Sequence, residues 1–245
     1  MTLGQALILY FAGLAAGFVN TVAGGGSAIT IPILVEMVGA TIANGTNRVS
    51  VLLANITAGA SFAKGGAVDW PRVARLVPSI LVGAGLGALI AANTPAEDMR
   101  TVFGLVLLVV AGSVLVKPSR WLTETEQRLT GPWRHVVFFL IGVYGGFVQV
   151  GVGFFLLAGL VLGGGFNLVT GNAAKVILIA AYTTLALVIF AGAAQVDLGL
   201  GLVLAAGNST GALISSRLAL SRGAGWVRWF LIMAAIAAAL RMFLA

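Results

Sequence analysis

Apolar stretches at about 3–22, 27–43, 46–63, 73–92, 98–116, 135–152, 154–170, 173–194, 198–216 and 226–244 fill most of this chain, and the charges fall largely between them. No other feature constrains the fold so strongly. A helix crossing hydrocarbon needs roughly 20 apolar residues, with a range of about 17 to 25. Eight stretches meet this comfortably, and 27–43 and 154–170 are short. Charged residues make up 9% of the chain, too few to cover a soluble domain of 245 residues, so lipid must be the solvent over most of the surface. The chain reads as an all-α polytopic membrane protein. The first residues, Met1 to Gln5, carry no basic region, and a cleaved signal peptide is not expected.

The two halves resemble each other. Gly13 to Asn20 matches Gly142 to Gln149, and Thr46-Asn47-Arg48-Val49 matches Ala173-Ala174-Lys175-Val176. Phe62 to Asp69 matches Phe190 to Asp197, Gly83 to Ile90 matches Gly207 to Ile214, and Arg100 falls opposite Arg228. Five collinear matches at nearly one offset indicate a duplication. If the short stretches cross the membrane, Lys and Arg divide eleven to three between the faces; if they are re-entrant, eight to six. The positive-inside tendency favours crossing. That predicts two inverted repeats of about five segments each, residues 1–117 and 135–245, joined by a cytoplasmic linker at 118–134 with a short interfacial helix, and both termini outside.

Two regions concentrate polar groups inside apolar surroundings. Asn20-Thr21-Val22-Ala23-Gly24-Gly25-Gly26-Ser27 continues to Thr30 and Pro32, and its counterpart is Gln149-Val150-Gly151-Val152-Gly153. Glycines break helices, and a break is stable within a membrane only where protein or a wet cavity covers it. The following helix N-terminus, which Ser27 can cap, attracts anions. The alternative is that the glycines serve close packing alone. The second region is Asn44-Gly45-Thr46-Asn47-Arg48 with Gly171-Asn172-Ala173-Ala174-Lys175, where Thr46 or Asn172 is a candidate N-cap. Inversion would bring Arg48 and Lys175 to one site from opposite faces; the alternative is two snorkelling anchors. Asn20, Thr21, Ser27, Asn47, Arg48, Gln149 and Asn172 are expected around one central anion site near the midplane.

Glu36 is the only acid well inside an apolar stretch, a candidate for carrying a coupling proton unless it lies at an interface. Asp69 and Asp197 are expected to mark helix starts. Glycines four apart, at Gly13/Gly17, Gly83/Gly87, Gly142/Gly146 and Gly207/Gly211, predict close helix crossings. There is no cysteine, and the one histidine, His135, stands at the start of an apolar stretch and reads as interfacial. Neither a metal site nor a cofactor is expected, and no Walker or nucleophile motif suggests an enzyme. The net charge of +7 lies between apolar stretches, which fits topology rather than nucleic acid. The expected partners are a small anion and the bilayer; an oligomer is not indicated.

At these residues the chain resembles the sulfite exporter TauE/SafE family of membrane permeases. Ala16 to Ser27, Pro32 and Ala43 to Arg48 look like its first half. Tyr144 to Phe147, Gly151 to Phe155 and Asn172 to Lys175 look like its second. The resemblance covers nearly the whole chain. It implies secondary transport, in the export direction, of sulfite, thiosulfate, a sulfonate or a related organic anion across a bacterial or archaeal inner membrane. Substrates vary widely within the family, whose pattern often has Gly where Gln149 stands. A non-transporting membrane scaffold or assembly subunit is the competing class.

Overall fold

A computed structural model describes residues 1–113, 129 and 131–244. Most of the 118–134 linker, with its expected interfacial helix, lies outside the described residues. Among those described, the secondary structure is helical with no strand: α1 Leu3–Val22, α2 Ser27–Val38, α3 Ala40–Lys64, α4 Trp70–Ala74, α5 Val77–Ala92, α6 Ala96–Ser113, α7 Gly131–Phe147, α8 Val152–Ala158 continued as a π-helix over Gly159–Gly163, α9 Leu168–Gly192 and α10 Leu198–Leu244. Gly223, at φ 71° and ψ −167°, breaks α10. Each apolar stretch of the sequence thus has its own helical piece. Three are long and apolar enough to cross a membrane: Leu3–Val22, Leu168–Gly192 and Leu198–Val227. Large apolar side chains such as Phe11, Val82, Leu108 and Val188 are exposed on the outside, where acyl chains would be the favourable neighbours.

Close packing follows the glycines. A Cβ on Gly13 or Gly17 would strike the backbone of Leu204 or Asn208, and one on Gly207 or Gly211 would strike Tyr10 or Leu14. The same exchange joins Gly142 and Gly146 to Ile80 and Ala84, and Gly83 and Gly87 to Phe139 and Val143. Helices α1 and α10, and α5 and α7, therefore cross with backbones in contact, and each crossing pairs one helix from each half.

Three local expectations need correction. The break after α2 falls at Gly39, at φ 78°, and not at Asn44-Gly45; Asn44 to Arg48 lie inside α3. Thr46 is therefore not an N-cap; its hydroxyl accepts from the Asp197 N–H at 2.9 Å. Gly45 is helical, and its missing Cβ admits the carbonyl of Gln195. Likewise α9 starts at Leu168, four residues before Asn172. Its cap is Asn167, whose side chain accepts from the N–H groups of Val169 at 3.0 Å and Thr170 at 2.8 Å. Finally, Ser27 does not cap α2: it is the first residue of the helix, Gly26 holds the cap position, and the Ser27 hydroxyl accepts from Asn47 at 3.2 Å. Asp69 and Asp197 do start helices, accepting from Arg72 N–H and Leu200 N–H.

Candidate functional site

The two glycine breaks meet. Gly24, at φ 91°, lies so close to Gly153 that a Cβ on either would run into the other's backbone. Gly25 lies against the ring of Phe154. Gly24, Gly26, Gly151 and Gly153 are all buried. At this point α1 and α7 end, while α2 and α8 begin.

Two fully buried cations serve the ends of the broken helices. Arg48 donates to the carbonyls of Gly145 at 3.2 Å, Gly146 at 2.6 Å and Phe147 at 3.4 Å, the last residues of α7. It also donates to Asn44 Oδ1 at 3.2 Å, and its guanidinium lies 4.5 Å from the centre of the Phe190 ring. Lys175 donates to the carbonyls of Asn20 at 3.0 Å and Thr21 at 2.8 Å, near the end of α1, and to Asn172 Oδ1 at 2.7 Å. Each cation thus comes from one half and holds the broken helix of the other. A positive charge is stabilised there, because a helix C-terminus carries unsatisfied carbonyls and roughly −0.5 of a charge.

Asn47, next to Arg48 in α3, centres a set of bonds of its own. Its amide donates to Ser27 Oγ and, at 3.4 Å, to Gln149 Oε1, while its oxygen accepts from Thr30 Oγ1 at 2.7 Å. Asn44 adds a bond to the Phe147 carbonyl at 2.9 Å. Arg48 and Asn44 thus share the carbonyls that end α7, Asn47 gathers Ser27, Thr30 and Gln149 beside them, and Asn20, Thr21, Asn172 and Lys175 form a separate buried group. Thr46 is turned toward Asp197 instead, and Glu36 is exposed near the end of α2. Among the described residues no carboxylate approaches either cation; the one ion pair there is Arg72 with Asp69. Three N–H donors in the two cages have no partner: Arg48 Nε, Gln149 Nε2 and Asn172 Nδ2. A buried donor left unpaired costs roughly 1–3 kcal/mol, so these atoms are poised for an acceptor.

The family model for the sulfite exporter TauE/SafE matches residues 9–242. The chain belongs to the sulfite exporter TauE/SafE family. Similar proteins include "Probable membrane transporter protein ORF9" of Sinorhizobium sp., 30% identical over 96% of this chain and 90% of that protein. "Probable membrane transporter protein YfcA" of Escherichia coli K12 is 28% identical over 90% of this chain and 83% of its own length. A "Probable membrane transporter protein" of Haemophilus influenzae is 25% identical over 90% and 88%. No solved structure matches. This TauE/SafE chain is therefore a membrane protein of a transporter family.

Within this TauE/SafE chain, Gln149 is one of two non-glycine residues at positive φ among the described residues, at 67°. Left-handed backbone costs an ordinary residue roughly 1–2 kcal/mol, which explains why glycine suits this position. Sequence reasoning passed over Tyr182, Thr183 and Phe190. Tyr182 and Thr183 are fully buried with unpartnered hydroxyls, seven and eight residues beyond Lys175 on α9. Their signal was available, since hydroxyls on an otherwise apolar stretch repeat at helical spacing from Lys175. Phe190 had no such signal, as one aromatic among many.

Proposed function

We propose that this protein is a secondary transporter that exports a small sulfur-containing or organic anion, such as sulfite, thiosulfate or a sulfonate. Its central site would be formed by the two cages together. One observation carries this reading: among the described residues, two fully buried cations stand without a carboxylate, beside three unpaired N–H donors. At each glycine break one helix end contributes roughly −0.5 of a charge and one helix start roughly +0.5, so the dipoles nearly cancel. The charge of the two cations is left for a bound anion to balance. Asn47, Gln149 and Asn172 would then orient its oxygens, and the backbone N–H groups opened by the breaks would add further donors. The family and its relatives support transport; the sulfur anion follows from the family description and the donor chemistry.

The pairwise exchange of cations and glycines between the halves supports two inverted repeats, 1–117 and 135–245, in a multi-pass inner-membrane protein. Reporter fusions after Arg75 and after Arg222 are then both cytoplasmic; opposite sides would remove the inversion. The anion reading is tested with Arg48→Gln and Lys175→Gln, which keep N–H donors for the carbonyls and delete the charge. In proteoliposomes each variant should lose uptake of labelled sulfite, thiosulfate and sulfoacetate while remaining folded. Unchanged flux in both would mean that the cations only hold helix ends.

A further inference from the structure

A second concentration of cations lies apart from the two cages. A cavity of about 50 Å³ is lined by Arg72, Arg75 and Arg134, with Leu76, Phe138, Gly164 and Phe166 completing its walls. The arginines come from separate elements: α4 and its end, and the first turn of α7. Arg72 is held in place, with its guanidinium 3.9 Å from the centre of the Phe166 ring and bonded to the Gly164 carbonyl. Asp69 offsets part of its charge at 3.7 Å. Arg134 Nε is buried with no partner. His135, the next residue, is exposed, with Nδ1 2.7 Å from Ser79 Oγ. Among the described residues, three guanidinium groups with one carboxylate leave an excess of about two positive charges around a space larger than one water, whose share of liquid volume is ~30 Å³.

The surroundings bear on what would fill it. Trp70 and Trp133, each adjoining the arginine elements, are 54% and 70% exposed. Indole rings exposed beside charges are characteristic of the level where headgroups meet hydrocarbon. From Trp133 an exposed apolar stripe runs along α7 through Val136 and Leu140, spaced so that they share one face. A cationic pocket at the head of an apolar stripe suits a molecule with a phosphate at one end and acyl chains at the other.

We propose that Arg72, Arg75 and Arg134 form a binding site for the phosphate of an anionic phospholipid, whose chains lie along the α7 stripe. Two of these cations come from the first half and one from the second, so the lipid would join the halves at their junction. Arginine suits this role, since its planar fork pairs two oxygens of one phosphate.

The test uses the full chain in nanodiscs of phosphatidylcholine with and without phosphatidylglycerol, reading lipids retained after detergent extraction by native mass spectrometry. Wild type should retain phosphatidylglycerol over phosphatidylcholine by about tenfold or more, from roughly a fivefold gain per basic residue. Arg75→Gln, at an exposed position, should reduce that preference by about fivefold, and Arg75→Gln with Arg134→Gln should bring it near parity. Arg217→Gln, a control at an exposed arginine that does not line the pocket, should leave it unchanged. A preference unaffected by the pocket substitutions, or equally lowered by Arg217→Gln, overturns the site. Loss of the lipid preference on adding millimolar inorganic phosphate, with phosphate retained in its place, overturns the lipid assignment in favour of a soluble ligand.

Discussion

The cages around Arg48 and Lys175 occupy matching positions but surround their cations with unequal polar structure. Arg48 meets three carbonyls, an asparagine and an aromatic face, and its neighbour Asn47 adds a separate set of bonds to Ser27, Thr30 and Gln149. Lys175 meets two carbonyls and one asparagine, and Ala174 stands where Asn47 does in the other half. The feature common to both halves is the charge placed on the opposite helix end. The hydrogen-bonding hub belongs to one half only. A duplicated unit can keep its electrostatic role in both copies while one copy takes over shape recognition, because a charge acts over several ångströms and a hydrogen bond only at contact.

The largest contrast should appear in stability. Arg48→Ala leaves a large void and the carbonyls of Gly145 and Gly146 without a donor, and should cost about 3–5 kcal/mol. Lys175→Ala frees two carbonyls and should cost about 2–3 kcal/mol. Denaturant or thermal unfolding in detergent measures both, and a larger loss for Lys175→Ala would reverse the ranking of the cages.

Binding should show the next effect. Asn47→Ala makes the first half resemble the second and removes the hub. Anion affinity, measured by calorimetry on folded protein, should fall about ten- to a hundredfold, the value of one hydrogen bond to a charged group. Asn20→Ala should weaken binding by no more than this, since the Asn20 carbonyl, which the substitution keeps, holds Lys175. An Asn20→Ala loss exceeding that of Asn47→Ala would place the recognition in the cage around Lys175 instead.

The smallest effect is expected at Gln149. Gln149→Gly relieves left-handed strain of roughly 1–2 kcal/mol but adds backbone entropy to the unfolded chain and loses a long hydrogen bond. Stability should stay within about 1 kcal/mol of wild type. A loss of several kcal/mol would mean that the side chain, rather than the glycines, holds the break together.

Much of this arrangement is legible in the chain because apolar length and glycine placement act locally. Each apolar stretch became a helical piece, the Gly24 to Gly26 break is buried, and the paired glycines mark helix crossings. Helix starts were less legible. Thr46 and Asn172 have the chemistry of caps, but Gly39 and Asn167 set the boundaries several residues earlier. Cap preference is a weak local signal, and the positive φ at Gly39 overrides it. The arginine pocket was invisible because α4, α7 and the segment before α9 lie far apart in sequence.

By itself, the sequence determined that the chain is a helical membrane protein with two glycine-broken regions and a cation following each. Apolar periodicity and backbone freedom depend on residues within a turn or two of one another. Only the tertiary structure decided which carbonyls each cation reaches. An ammonium or guanidinium can satisfy any exposed helix end, and the choice depends on which end comes within about 3 Å of it. That proximity comes from helices of opposite halves crossing at their glycines, so Arg48 holds α7 and Lys175 holds α1.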